Sequence, residues 1–298
     1  MARLSIITPT YNRASLLAQC FESLKKQSNH DFEWIVVDDG STDRTEDLVK
    51  RLINESTSFP VFYKAKENGG KHTALNASHE LIHGEYVLIL DSDDQLPEDA
   101  VQVILENWEK YEYNDKVSML IFLKQNSDGR ICSYAENENI ITDYFKTKRI
   151  RIVTTDCCEV IRSTVFKKYP FPEYENEKYI PETVLWYRAA AEGDCVYINK
   201  PVYICEYLEG GLTKSGRTLR IRNPRGGMYN SYLRMNSRCS AKERIKASIL
   251  YTAYGFFAGE KMNNLFANAK PYYVQAAAGF LPGIITYLYW SKKYEYKK

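Results

Sequence analysis

The sequence predicts an α/β protein: a mostly parallel sheet with helices on both faces, followed by a helical C-terminal tail. Three observations lead there. Through the first hundred residues, short apolar runs alternate with stretches of helical periodicity. The periodic stretches are long enough to be the crossover helices that parallel strands require. Polar motifs collect where the apolar runs end, and sheets of this kind bind ligands at the carboxyl ends of their strands.

The elements follow in order. "LSIITP" (4–9) reads as a buried strand, and "SLLAQCFESLKKQ" (15–27) carries Leu16, Leu17, Cys20, Phe21 and Leu24 at helical spacing. "FEWIVVDD" (32–39) predicts a second strand and "DRTEDLVKRLI" (43–53) a second helix. "VFYKA" (61–65), "KHTALNASHELI" (71–82) and "YVLILD" (86–91) complete a strand–helix–strand series. A helix is expected over 98–111, a strand over 117–123, and a strand pair over 195–199 and 202–208. These patterns divide the chain into 1–100 and 101–208, the two halves of one α/β domain, and 209–298, a loop and helical tail. The third part opens with "GGLTKSGRTLRIRNPRGG", whose Gly, Pro and Arg content predicts a loop before the helical tail.

At 298 residues the chain has room for one large α/β domain or two smaller ones. A charged fraction of 26% with a net charge of +2 gives no global argument for nucleic-acid binding. Seven cysteines form no CxxC pair and have no His partners at zinc spacing, which predicts free thiols in a reducing compartment. The N-terminus runs directly into a strand pattern, so a cytoplasmic location is expected.

Four polar loops are expected on one sheet edge: "TPTYNR", "DDGSTD", "NGG" and "DSDD". The last is the most demanding. Asp91, Asp93 and Asp94 fall within four positions at the end of a buried strand, and like charges that close destabilise one another. A cation is expected there. Neither GxGxxG nor GxxxxGK[ST] occurs, so the dinucleotide fingerprint and the P-loop are both missing. Asp39, at a strand end before a Gly turn, can accept a hydrogen bond from a pyrimidine N3–H, or can serve an ordinary turn and helix cap.

"SIITPTYNR", "VVDDGSTDRT", "NGGKHTALNAS" and "GEYVLILDSDDQLPEDA", in this order and spacing, resemble the family 2 glycosyltransferases of the GT-A, Rossmann-like fold. The resemblance is dense over about residues 3–105 and thinner to about 207. It implies an inverting, metal-assisted transferase that takes a sugar from a nucleotide-sugar donor, UDP-linked by expectation, and passes it to a glycan or polyprenyl-linked acceptor in polysaccharide, capsule or O-antigen assembly. It implies that Thr8, Pro9 and Tyr11 line the base and that Asp39 binds its N3–H. Lys71 would contact the nucleotide, Asp91 the ribose or a water, and Asp93 would ligate Mn²⁺ or Mg²⁺. The same resemblance, aligned on "LWYR", places Glu182 where the family carries its catalytic Asp; helix capping is the other reading, and Asp156 is the reserve base.

Two rival classes stand beside this one. A nucleotidyltransferase would need a Gly-rich N-terminal phosphate loop, which "TPTYNRAS" lacks. An inactive scaffold would have no need of the intact acids. In the tail, Val274 to Trp290 is apolar but shorter than the roughly 20 residues a span needs, and Pro282-Gly283 interrupts it. Tyrosines, Trp290 and four lysines follow, so the tail is expected to lie in the cytoplasmic membrane surface without crossing it; a helix packed on the protein is the other reading.

Overall fold

The computed structural model describes residues 2–131, 134–135, 138–145, 157–205 and 212–294. Cys132 and Asp156 lie outside these residues. The chain forms two compact units, Met1–Pro170 with Ala189–Glu206, and Phe171–Arg188 with Tyr207–Lys298. The first unit holds residues 1–100 and most of 101–208.

The first unit opens with β1 (Leu4–Thr10), α1 (Ala14–Lys25), β2 (Phe32–Asp38), α2 (Thr45–Glu55), β3 (Val61–Ala65), α3 (Lys71–Ala77) and β4 (Tyr86–Ile89). It continues with α4 (Ala100–Glu109), β5 (Val117–Gln125), β6 (Ile141–Thr142), β7 (Cys158–Arg162), α5 (Ser163–Lys168) and β8 (Asp194–Ile204). One sheet in the order β3-β2-β1-β4-β7-β5-β8-β6 takes all eight strands. The strands β3, β2, β1 and β4 are mutually parallel, whereas β7 runs antiparallel to both β4 and β5. The expected strand pair near 195–208 is instead one strand, whose register against β5 shifts around Pro201. Proline cannot donate to the ladder, and a shift there accommodates it.

Alternation decides what each strand buries. Leu4, Ile6, Phe32, Trp34 and Val36 point to one core with Leu17, Cys20, Phe21 and Leu24 of α1 and Ile104, Leu105 and Trp108 of α4. Ile7, Ile35 and Val37, on the opposite face, are equally buried, so the central strands are covered on both sides. Gly84 sits where β4 begins: a Cβ there would lie 2.7 Å from Ser5 Oγ and 2.9 Å from the Leu4 carbonyl carbon. The six cysteines among the described residues are buried.

The second unit is helical: α6 (Thr183–Ala189), α7 (Leu212–Arg222), α8 (Pro224–Leu233), α9 (Ala241–Phe257), α10 (Met262–Asn268) and α11 (Tyr273–Lys293). Here the expected loop after residue 209 is corrected, because α7 and α8 occupy most of it. Pro224 starts α8 at a position that needs no N–H. Gly226 and Gly227 are packing positions: a Cβ would meet the Tyr179 carbonyl oxygen at 2.7 Å and the Tyr254 ring at 3.0 Å. The glycines that read as turn signals are contact surfaces between chain segments.

Helix α11 packs along α9 through Gly279 and Gly283, one helical turn apart. Added Cβ atoms would lie 2.4 Å from Ser248 Oγ and 2.5 Å from Thr252 Cβ. Among the described residues, no helix is long and apolar enough to cross a membrane.

Candidate active site

The loops after β1, β2, β3 and β4 meet at the carboxyl edge of the parallel strands. The first two are latched by Asn12, which adopts φ 51°, a conformation Asn tolerates better than most side chains. Its side-chain oxygen accepts the backbone N–H groups of Thr42 (2.7 Å) and Asp43 (3.3 Å), and its own N–H donates to Ser41 Oγ (2.8 Å). Asp43 in turn accepts the Ala14 N–H at 3.2 Å, so "TPTYNR" and "DDGSTD" act as one rigid rim.

Asp39 organises the third loop. Its buried carboxylate accepts from Lys66 Nζ (2.8 Å), Asn68 Nδ2 (3.2 Å), the Gly69 N–H (2.9 Å) and the Gly70 N–H (2.7 Å). A carboxylate offers about four acceptor positions. All four are engaged, so a base N3–H reaches Asp39 only by displacing one of these donors. Lys66 also donates to Thr73 Oγ1 at 2.8 Å, which ties the loop to the first turn of α3.

The fourth loop carries the carboxylates. One oxygen from each of Asp91, Asp93 and Asp94 lies within 4.8 Å of the others. Cations and one phenol hold this cluster together. Arg13 Nη1 pairs with Asp93 Oδ2 at 2.7 Å, and Lys71 Nζ pairs with Asp91 Oδ1. The Tyr203 hydroxyl donates to Asp94 Oδ2 at 2.7 Å and accepts the Asp91 N–H at 3.0 Å. Burial works against ionisation of Asp91, yet the ammonium of Lys71, with Lys124 and Arg13, outweighs it and holds the carboxyl below its ordinary value. Asp94 goes the other way: burial and then the Asp91 charge push it up to about 6, against the Tyr203 hydrogen bond. Three oxygen-donor carboxylates converging on one point fit a hard divalent cation such as Mn²⁺ or Mg²⁺.

The expected residues divide on inspection. Asp39, Lys71, Asp91 and Asp93 come together at this edge, and Tyr11 stands beside them 46% exposed. Pro9 is buried in β1, within hydrogen-bonded register against Val37. Thr8 is fully buried, and its hydroxyl accepts the Trp34 indole N–H at 2.9 Å. Glu182 belongs to the second unit, immediately before α6, where its carbonyl oxygen accepts the Leu185 N–H at 2.8 Å. Arg13, Lys66, Lys124 and Tyr203 are the residues that sequence reading passed over. Arg13 was legible, since it closes "TPTYNR". Tyr203 was not, because 109 residues separate it from Asp94.

An eight-stranded mixed sheet whose four parallel strands deliver acidic and cationic loops to one edge defines the GT-A class of α/β protein. Residues 5–169, more than half of the chain, match the family described as Glycosyl transferase family 2, and the chain belongs to that family. Among curated relatives, the teichoic acid poly(glycerol phosphate) polymerase of Staphylococcus epidermidis is 35% identical over 108 residues, 36% of this chain and 15% of that one. The GalNAc(5)-diNAcBac-PP-undecaprenol beta-1,3-glucosyltransferase of Campylobacter jejuni is 36% identical over 110 residues, 36% of this chain and 34% of that one. The matches thus span well under two thirds of these relatives' length. The structure of S. aureus TarS 1-349 in complex with UDP-GlcNAc is similar over 98% of this chain and 92% of that one, with TM-score 0.67 and 18% identity. The mannosyltransferase PcManGT of Pyrobaculum calidifontis, in complex with GDP-Man and Mn2+, is similar over 96% and 87%, with TM-score 0.56 and 19% identity.

Proposed function

We propose that this chain is an inverting glycosyltransferase that moves a sugar from a UDP-sugar donor to a hydroxyl of a glycan or lipid-linked sugar acceptor. The observation that carries the reading is the convergence of Asp91, Asp93 and Asp94 on one point, at the edge where the first three loops also end. Relatives named for UDP-GlcNAc and for an undecaprenol-linked acceptor support the donor and acceptor classes.

Each residue then has a task. Tyr11 offers an exposed ring to the base. Asp39 and Lys66 fix the Asn68–Gly70 loop that leads into α3, and Lys71 stands at the start of that helix to meet phosphate. Asp93 and Asp91 would hold Mn²⁺ or Mg²⁺, with Asp94 beside them; the ion, when bound, neutralises the departing diphosphate. For Asp93 to serve as a ligand, Arg13 must let go of it, which frees a guanidinium beside the anionic donor. Glu182 acts as general base. It takes the acceptor hydroxyl proton as that oxygen bonds to the anomeric carbon, while the carbon–oxygen bond to the diphosphate breaks and its electron pair leaves with the diphosphate.

The rivals lack comparable support. A nucleotidyltransferase reading still wants its Gly-rich phosphate loop, and a scaffold leaves the carboxylate cluster without a purpose. Location follows from the acceptor class: the cytoplasmic face of the membrane, with residues 274–298 as the peripheral attachment.

Calorimetric titration of UDP with and without Mn²⁺ tests the site. We expect Mn²⁺ to tighten UDP binding in the parent by tenfold or more, and Asp93→Asn to abolish that difference. Equal metal dependence in both proteins would overturn the assignment. A thermal-shift panel of UDP, GDP and CDP with Mn²⁺ reads the base preference, because a ligand that binds only the native state raises its stability.

A further inference from the structure

Helix α11 has two unlike faces. At about 100° per residue, Ala276, Gly279 and Gly283 fall on one side and are buried. The opposite side presents Val274, Leu281, Ile285, Leu288 and Tyr289, each between 59% and 70% exposed, and ends at the exposed Lys292 and Lys293. This stripe runs along roughly 22 Å of helix. In the other described helices, exposed large apolar side chains stand singly, as Ile53, Ile245 and Met262 do. A continuous stripe is a different object, because contiguous exposed apolar surface marks a contact face.

The charge of this part of the chain is lopsided. Of the 40 Lys and Arg, 16 lie in the last 89 residues with only three of the 38 Asp and Glu; the first 209 residues hold 24 against 35. A net charge near zero for the whole chain thus conceals an acidic N-terminal part at −11 and a basic C-terminal part at +13.

We propose that this face of α11 docks on an anionic lipid surface, with the helix lying along the bilayer and Lys292, Lys293 and the basic excess of the C-terminal part drawn to the headgroups. The proposal rests on the membrane-surface reading given above and narrows it from a segment to one helix face. Charge chooses the occupant. A second copy would bring an equally cationic surface against this one, and like charges across an interface oppose association. An anionic bilayer satisfies the apolar stripe and the basic excess together.

Cutting the chain after Ala269 is a poor test, because it would strip α9 of the helix that Gly279 and Gly283 seat against it. Surface substitution is the better one. The full chain and the triple variant Leu281→Glu, Ile285→Glu, Leu288→Glu are sedimented with phosphatidylcholine vesicles and with vesicles containing phosphatidylglycerol. Thermal melts and UDP titration check that the variant keeps its fold and donor site. The expected result is parent binding to phosphatidylglycerol vesicles, weaker binding to phosphatidylcholine, partial loss at high salt, and at least about tenfold loss in the variant. A variant that binds like the parent overturns the assignment of this face while leaving the membrane reading standing. A parent that ignores both vesicle types overturns both. A parent dimer that the variant converts to monomer, seen by light scattering, overturns the lipid assignment in favour of self-association.

Discussion

Residues 1–105 and the helical C-terminal region solve the same problem, how to bring distant residues together, by different means. In the first, each strand carries its loop to a common edge, so chain order alone gathers Arg13, Asp39, Lys71 and Asp91. In the second, glycine and aromatic side chains decide which helices approach, and nothing in the order of the sequence says which glycine faces which partner. A parallel sheet makes its functional edge legible; helix packing hides its contacts until the partners are seen.

The largest effect expected would sharpen that contrast by separating binding from chemistry. If Glu182 is the base, Glu182→Gln should lower transfer by about 10²–10⁴-fold. Donor binding, which belongs to the first unit, should stay within a factor of two. Sugar transfer from UDP-sugars and UDP titration measure the two separately. Loss of both together would mean that the residue is structural, and unimpaired transfer would return the role to another carboxylate.

Next come the glycines, one from each region. Gly84→Ala drives a methyl into the Ser5 backbone N (2.8 Å) and Oγ, and Gly283→Ala drives one into Thr252 Cβ at 2.5 Å. Each should cost about 1–3 kcal/mol by overpacking, read as a lower denaturation midpoint. Gly84→Ala should also weaken UDP binding, because β1 and β4 both lead into the site. Gly283→Ala should leave it alone. If both weaken UDP binding equally, the two regions do not behave as separate structures.

How far the sequence could be read follows from the same physics. The strands at 32–38 and 61–65 were legible because a short run rich in β-branched and aromatic residues between polar turn residues marks a strand within a few positions. The acidic cluster announced itself by its electrostatic cost. Of the groups that offset it, Lys71 and Arg13 lie in the neighbouring motifs, whereas Lys124 and Tyr203 left no local sign, because they come from β5 and β8 on the far side of the sheet order. The Trp34 indole that donates to Thr8 was hidden for a related reason: 26 residues separate the two. The loop expected after residue 209 failed where Gly226 and Gly227 permit close packing, and a local reading sees only a flexible turn.

A smaller effect probes the long-range side of the contrast. Tyr203→Phe deletes a hydroxyl that serves both Asp94 and the Asp91 N–H. Losing those two hydrogen bonds should cost about 1–3 kcal/mol. Metal-dependent UDP affinity should fall less than in Asp93→Asn, since no candidate ligand is removed. Unchanged stability and affinity would show that the acidic loop holds its shape without β8.

The smallest effect concerns pH, and it too divides the regions. All four histidines, His30, His72, His79 and His83, precede residue 84, so the helical C-terminal region has none to titrate. His79 packs its ring edge-on against Phe166 at 5.0 Å, and burial, helped by the neighbouring Lys167 charge, pushes its pKa below 6.5. The sign follows from linkage. Below pH 6.5 the unfolded chain takes up a proton that the folded chain still refuses, so stability falls as pH drops from 6.5 towards the lower folded value. Above 6.5 both states are neutral and the contribution vanishes. Replacing the imidazole by a ring that cannot titrate, His79→Phe, should therefore leave the melting temperature at pH 8 nearly parallel to the parent's and pull ahead of it by pH 5.5, by on the order of one degree. Parallel melting curves across that range would mean that His79 is free to take its proton in the folded protein, and that its contact with Phe166 does not exclude water.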